Sequence, residues 1–168
     1  MLHTVVRKQP NSKMCLVCGL QNPHGLQAAF FELSGGLVHG VFDPRDELQG
    51  YPGRLHGGIA TALLDETLGR TIMVHQPDEF WGVTIDLNFR FRQPIPLDRP
   101  VRAIAELVED GKRFFTAHGR VVVAGGVTAV EAHGRFMKLK LERIAEFDPH
   151  EQMWRVCPLP TDPAEVDI

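Results

Sequence analysis

The chain lacks any run of the roughly 18 apolar residues that a membrane-spanning helix needs, so no membrane partner is expected. Its opening residues, MLHTVVRKQPNSKMCLVCG, lack an apolar stretch of signal-peptide length, and the expectation is a cytoplasmic protein. An excess of basic residues is also missing: 18 Lys and Arg stand against 21 Asp and Glu, a formal net charge of −3. Phosphate backbones are held by clustered surplus cations, so nucleic acid is not an expected partner. Cysteine is scarce. Cys15, Cys18 and Cys157 are too few, and odd in number, for a secreted disulfide framework. No internal repeat or low-complexity tract is found.

What remains is an ordinary globular composition, 43% apolar and 23% charged over 168 residues. That length is about one domain and buries roughly two thirds of its unfolded surface. The expected division is an N-terminal arm with a Cys-x-x-Cys turn segment (1–25), one folded domain (26–143) and a surface tail (144–168). Residues 1–14 read as a loose arm. LQAAFFEL and GLVHGVF read as strands around a turn at Ser34-Gly35-Gly36. Residues 43–55 form a long loop, a feature more often functional than accidental. From Gly58 to about His75 the chain is rich in Ala and Leu and reads as one long helix. It is apolar on most of its circumference, so burial on several sides is expected.

From Thr84 to Arg92 the alternation is strict. Ile85, Leu87, Phe89 and Phe91 take one face; Thr84, Asp86, Asn88, Arg90 and Arg92 take the other. Three more strands follow at 101–109, 113–124 and 127–141. Two strands, one buried helix and four strands imply an α+β fold: an antiparallel sheet of about six strands wrapped around one central helix. A helix buried all round needs a further cover, and a second copy of the chain supplies it.

The segment LHGGIATALLDETLG carries the chemistry. Gly57 and Gly58 stand where the helix starts, where backbone N–H groups have no intrahelical acceptor and glycine allows close approach. Such donors suit a developing oxyanion. Asp65 lies on a face of small residues with Gly58, Thr61, Ala62 and Gly69, and a mid-helix carboxylate is costly unless it is paired or used. Each piece alone has a plain structural explanation, a turn for the glycines and a solvated acidic pair for Asp65 and Glu66. Their combination after a long loop favours a site.

H-G-G followed by a carboxylate nine residues after the His resembles the signature of the 4-hydroxybenzoyl-CoA and PaaI-like thioesterases. The strand GVTIDLNFRFRQP and its spacing from the helix resemble that family too, over roughly residues 25–141. The stretch QGYPGRLHGG is similar to the subgroup of the human thioesterase superfamily proteins. The resemblance implies the hotdog fold, dimers with sites at the interface, and hydrolysis of a medium-chain or aryl acyl-CoA. It implies Asp65 as general base or nucleophile, the Gly57 amide on the thioester carbonyl, His56 in support, and Thr84 orienting the water. Gln49, Gly58, Glu66, Asn88 and Arg90 are the expected substrate contacts. Some relatives place an Asn six residues before the His; here that position is Gly50, and Gln49 is the substitute. A homodimer, or a tetramer built as a dimer of dimers, is expected. No cofactor is expected, because coenzyme A enters as part of the substrate.

Other residues are open. Cys15, Cys18 and His24 fall short of the four ligands of a structural zinc site, and a packed knuckle is the favoured reading. Arg90, Arg92, Lys112 and Arg113 are the candidates for the CoA phosphates. Phe80 and Trp81 read as acyl-pocket or dimer-seam residues. The competing functions are a hotdog acyl-thioester dehydratase or hydratase, and a non-catalytic acyl-CoA-binding module.

Overall fold

Period-two alternation dominates the sequence, and the computed structural model, which describes residues 1–77 and 79–168, is built on one antiparallel sheet. Its strands are β1 (Leu2–Lys8), β2 (Ala29–Leu33), β3 (Leu37–Phe42), β4 (Trp81–Phe91), β5 (Val101–Asp110), β6 (Phe114–Val122), β7 (Thr128–Leu139) and β8 (Glu165–Asp167). They lie in the order β4-β7-β6-β5-β3-β2-β1-β8. Gly35 and Gly36, with φ of 89° and 81°, make the left-handed turn that joins β2 to β3. Between β3 and β4 the chain forms the helix α1 (Gly57–Gly69) and a short second helix, α2 (Ile72–His75). β3 therefore pairs with β5, and β4 lies on the far edge beside β7.

The helix packs on one face of this sheet. Leu63, Leu64 and Leu68 are fully buried against Phe30, Phe115 and Phe136. The last two rings stack with centroids 5.1 Å apart. Truncating one such leucine to alanine costs about 2–5 kcal/mol, the lost transfer energy plus a cavity. Close approach requires glycine in the sheet: a Cβ on Gly40 would stand 2.7 Å from Thr67 Oγ1.

Four expectations are corrected. The single helix over 58–75 is two. At Gly69–Thr71 the bonding tightens, with Thr71 N–H donating to the Leu68 carbonyl at 3.1 Å and the Thr71 hydroxyl donating to the same carbonyl at 2.7 Å. The helix is not buried all round: Gly58 is exposed, and Thr61, Ala62, Asp65 and Gly69 are half-buried, so the small-residue face is open in one chain. The loose arm contains β1, which pairs with both β2 and β8. The tail contains β8, and its Trp154 packs edge-on against Trp81 at 4.7 Å. Among the described residues no helix is long and apolar enough to cross a membrane.

Candidate active site

The site begins with how α1 starts. His56 is extended (φ −63°, ψ 134°), and its ring Nδ1 accepts the N–H of Gly58 at 2.9 Å. That is an N-cap made by a histidine. Because Nδ1 accepts, the proton of the neutral ring sits on Nε2. The cap leaves the preceding amide over: the Gly57 N–H has no acceptor among the described residues. It opens on a cleft of about 410 Å³ lined by Tyr51, Arg54, Phe91 and Ile95. Phe91 is 56% exposed although it continues an apolar strand face.

Two turns further on stands Asp65. Its Oδ1 accepts the hydroxyl of Thr84 at 2.7 Å, the one hydrogen bond of this carboxylate among the described residues. Burial raises the Asp65 carboxyl above its ordinary value, and neighbouring Glu66 adds to the rise, while the Thr84 hydroxyl works against them. Asp65 and Thr84 open on a second cavity of about 340 Å³, walled by Trp81, Val83, Ile144, Phe147 and Trp154. The cavity is largely apolar; Glu66 and Arg70 also line it but are paired with each other, which leaves Asp65 as its carboxylate without a cation partner among the described residues, an arrangement that suits a base facing an acyl group.

Thr84 reaches Asp65 through a β-bulge. The register of β4 on β7 shifts between Thr84 and Asp86, so two β4 steps oppose one on the partner. The shift turns Thr84 to the helix side, where Leu87 and Phe89 pack into the core. Asp86, Asn88 and Arg90 are left exposed on the outer side. The single polar face expected for Thr84, Asn88 and Arg90 is therefore split, and Asn88 and Arg90 are on the other side of the sheet from Asp65.

The remaining expected contacts are placed as follows. Glu66 Oε1 is held by Arg70 Nη2 at 2.7 Å and Nε at 3.1 Å, and its Oε2 faces the thiol of Cys15 at 3.6 Å. Arg70 is buried over the ring of Phe30. Gln49 uses its side-chain carbonyl on the N–H of Gly53 at 3.3 Å, inside its own loop. Gly50 sits against His56, where a Cβ would come within 3.3 Å of the ring. Arg92 lines the Gly57 cleft and pairs with Glu131 at 2.8 Å. Lys112 and Arg113 fall on the β5–β6 turn. His24 is exposed and does not join Cys15 and Cys18; Glu66 does.

Sequence reading missed the wall of the Asp65 cavity. Ile144, Phe147 and Trp154 lie in a proline-rich tail with no periodicity, and only their apolar bulk hinted at burial. Tyr51 and Phe91, beside Gly57, were concealed by a loop and a regular strand.

One geometric fact constrains the chemistry. Gly57 and Asp65 are eight residues apart on one helix, about 12 Å along its axis. They open on different cavities. A donor and a base that act on one carbonyl must both lie within about 3–3.5 Å of the reacting atoms. Gly57 and Asp65 of a single chain therefore cannot meet the same carbonyl.

Comparison with known proteins agrees with this architecture. A family model of the thioesterase superfamily matches residues 52–130, from the loop before α1 to the start of β7. The human acyl-coenzyme A thioesterase THEM5 is 35% identical over 106 residues, which cover 61% of this chain and 40% of the human protein. The chain thus spans about two fifths of that relative's length. The crystal structure of the thioesterase superfamily protein RHA08564 superposes with a TM-score of 0.67 at 30% identity, covering 73% of this chain and 59% of that one. The Bacillus halodurans protein BH2602, solved with CoA, superposes with a TM-score of 0.55 at 28% identity, covering 60% of this chain and 70% of that one. With the sheet wrapped on one helix and the match across the helix and the strands that follow it, the chain has the hotdog fold and is similar to the thioesterase superfamily.

Proposed function

We propose that this protein hydrolyses acyl-CoA thioesters with a medium-chain or aryl acyl group, acting as a homodimer with two shared sites. The observation that carries the reading is the Asp65 carboxylate, half-buried beside an apolar cavity and bound by the Thr84 hydroxyl at 2.7 Å. A carboxylate raised by burial is a stronger base for water. The missing donor comes from a second copy. If two α1 helices run antiparallel across a two-fold axis near Thr61, the Gly57 amide of each faces Asp65 of the other. The open face of small residues along α1 gives room for that contact.

In this arrangement the thioester carbonyl oxygen accepts the N–H of Gly57, backed by the helix dipole. Asp65 takes a proton from water, held in place with Thr84, and the water oxygen adds to the carbonyl carbon. The tetrahedral intermediate collapses, the C–S bond breaks, and the proton passes to the CoA thiolate. Attack by the Asp65 oxygen itself, followed by hydrolysis of the anhydride, uses the same groups. The acyl group fills the cavity of Trp81, Phe147 and Trp154. The name of the human relative and the CoA held by the Bacillus protein support this substrate class.

Release of free thiol across a panel of acyl-CoAs tests the proposal, with product acids identified by mass spectrometry. Equal amounts of CoA and free acid are expected. An enoyl product without thiol release refutes it in favour of a dehydratase. CoA binding with no turnover on any thioester refutes it in favour of a binding module.

A further inference from the structure

Cys15 and Cys18 are not used by this chemistry, yet they are arranged for a chemistry of their own. The turn Cys15-Leu16-Val17-Cys18 brings both sulfurs and the Glu66 carboxylate within 4.8 Å of one another. The two sulfurs differ. Cys18 is 1% exposed, and among the described residues its thiol has the Ser12 hydroxyl, at 3.5 Å, and Cys15 beside it. Cys15 is half-buried and lines an open cavity of about 230 Å³ with Met14, Gln152 and Trp154. Its Sγ accepts the backbone N–H groups of Val17 at 3.3 Å and Cys18 at 3.4 Å. Its own proton points to Glu66 Oε2, whose other oxygen is fixed by Arg70.

The geometry points to a dithiol site that reacts reversibly with low-molecular-weight disulfides, with Cys15 as the attacking sulfur and Cys18 as the resolving one. An accessible sulfur stabilised by N–H donors, three residues from a buried protonated one, is the arrangement that thiol–disulfide exchange requires. The electrostatics agree. The hydrogen bond from Cys18, with the two amides, lowers the Cys15 thiol to about 7, although burial and Glu66 oppose it. The same bond and burial hold Cys18 protonated.

The step balances. The Cys15 thiolate attacks one sulfur of an external disulfide, the S–S bond breaks, and one thiol leaves with the proton Cys15 gave up. Cys18 then loses its proton and attacks Cys15, which forms the internal disulfide and expels the second thiol. Two protein thiols are oxidised and one external disulfide is reduced to two thiols. A metal ion fits the cluster less well. Three ligands are present, and the next group around Glu66 is the Arg70 cation, which opposes a divalent ion.

The test uses the whole protein with Cys157→Ser, which removes the remaining thiol, incubated with oxidised glutathione and mapped by mass spectrometry. The Cys15–Cys18 disulfide is expected, with loss of two hydrogens and reversal by a dithiol reductant. Cys18→Ala accumulates a glutathione adduct on Cys15, and its Cys15 alkylation reaches half-rate at a higher pH than in the parent. Cys15→Ser leaves Cys18 unmodified. Circular dichroism checks that each variant is folded. An adduct on Cys18, no reaction at either sulfur in the folded protein, or a stoichiometric metal that co-purifies and is lost in Cys15→Ser overturns the proposal.

Discussion

Gly57→Pro isolates a single backbone donor. Gly57 is the first helical residue of α1, and its N–H has no acceptor among the described residues. Proline at that position removes the N–H without removing an intrahelical bond. The residue before a proline must be extended, and His56 already is, with ψ 134°. The cost is local: a Cβ at position 57 stands 3.2 Å from Phe91 Cε1, and Phe91 is exposed enough to swing aside. Fold stability should therefore change by less than about 1 kcal/mol, since the stiffer unfolded chain offsets the contact. Turnover should change far more. One lost oxyanion donor costs about 2.7–4 kcal/mol of barrier, a hundredfold to thousandfold in kcat. Gly57→Ala is the control, because it keeps the N–H and makes the same contact with Phe91; it should retain most of the activity. The assay is thiol release, read with helix content and Tm. If Gly57→Pro is folded and turns over near the wild-type rate, the amide does not hold the carbonyl.

Thr84→Val keeps the shape of the side chain and deletes the bond to Asp65. A hydrogen bond to a charged group in a site that solvent reaches is worth about 1.5 kcal/mol, so kcat should fall about tenfold. That bond lowers the Asp65 carboxyl, so its loss leaves burial and Glu66 unopposed, and the acid limb of the pH–kcat/KM profile should move to higher pH. Asp65→Asn should abolish hydrolysis and raise Tm at neutral pH. The folded-state carboxyl lies above its unfolded value, so its stability contribution is full at low pH and is lost as pH rises through the folded value; asparagine avoids that loss. Arg70→Met should lower stability by about 3 kcal/mol or more in thermal unfolding, because it strips Glu66 of its partner. Mixing folded Gly57→Pro and Asp65→Asn chains should restore activity that neither has alone, since one site of each mixed dimer is intact; no recovery in verified mixed dimers refutes the shared site.

The sheet was largely legible because its pattern is local. Alternation at 84–92 and the glycine turns at 35–36 and 125–126 required only period two and positive φ. The helix was legible from Ala and Leu, but its break at Gly69–Thr71 depends on threonine hydroxyls that compete with the backbone for carbonyls. The pairing of β1 with β8 joins the two ends of the chain, and no local pattern encodes a partner so distant. The bulge at Ile85 was hidden by the very regularity of the strand: an apolar residue in phase with Leu87 is 49% exposed, and Thr84 turns inward in its place. At the site, the residue types at 57, 65 and 84 were readable, but which cavity each one faces was not, because the walls come from the 51–55 loop and Phe91 beside Gly57 and from residues 144–154 beside Asp65 and Thr84.

Asp65 and Glu66 show why composition alone could not choose the base. They are adjacent carboxylates on one helix, separated by one step of about 100°. That step sends Glu66 to a buried guanidinium, which holds Oε1 twice and leaves Oε2 to a thiol. An ion pair of this kind fixes a carboxylate in place and satisfies its charge. The same step sends Asp65 to a neutral hydroxyl, and although Glu66 and Arg70 line the same cavity their charges are spent on each other, so burial raises the Asp65 carboxyl. Neighbouring acids whose surroundings differ take different roles, and the one with uncompensated charge is the better base. The division also explains the geometry of the pair. Arg70 is itself 5% exposed, and beyond its pair with Glu66 it donates to the Pro10 carbonyl at 3.0 Å and lies over Phe30, so these contacts outside the helix tie the Glu66 side of α1 to the body of the chain. Under the proposed reading Asp65 is the base and Glu66 the partner of a buried cation, so exchanging their side chains should cost both stability and activity, read as Tm and thiol release.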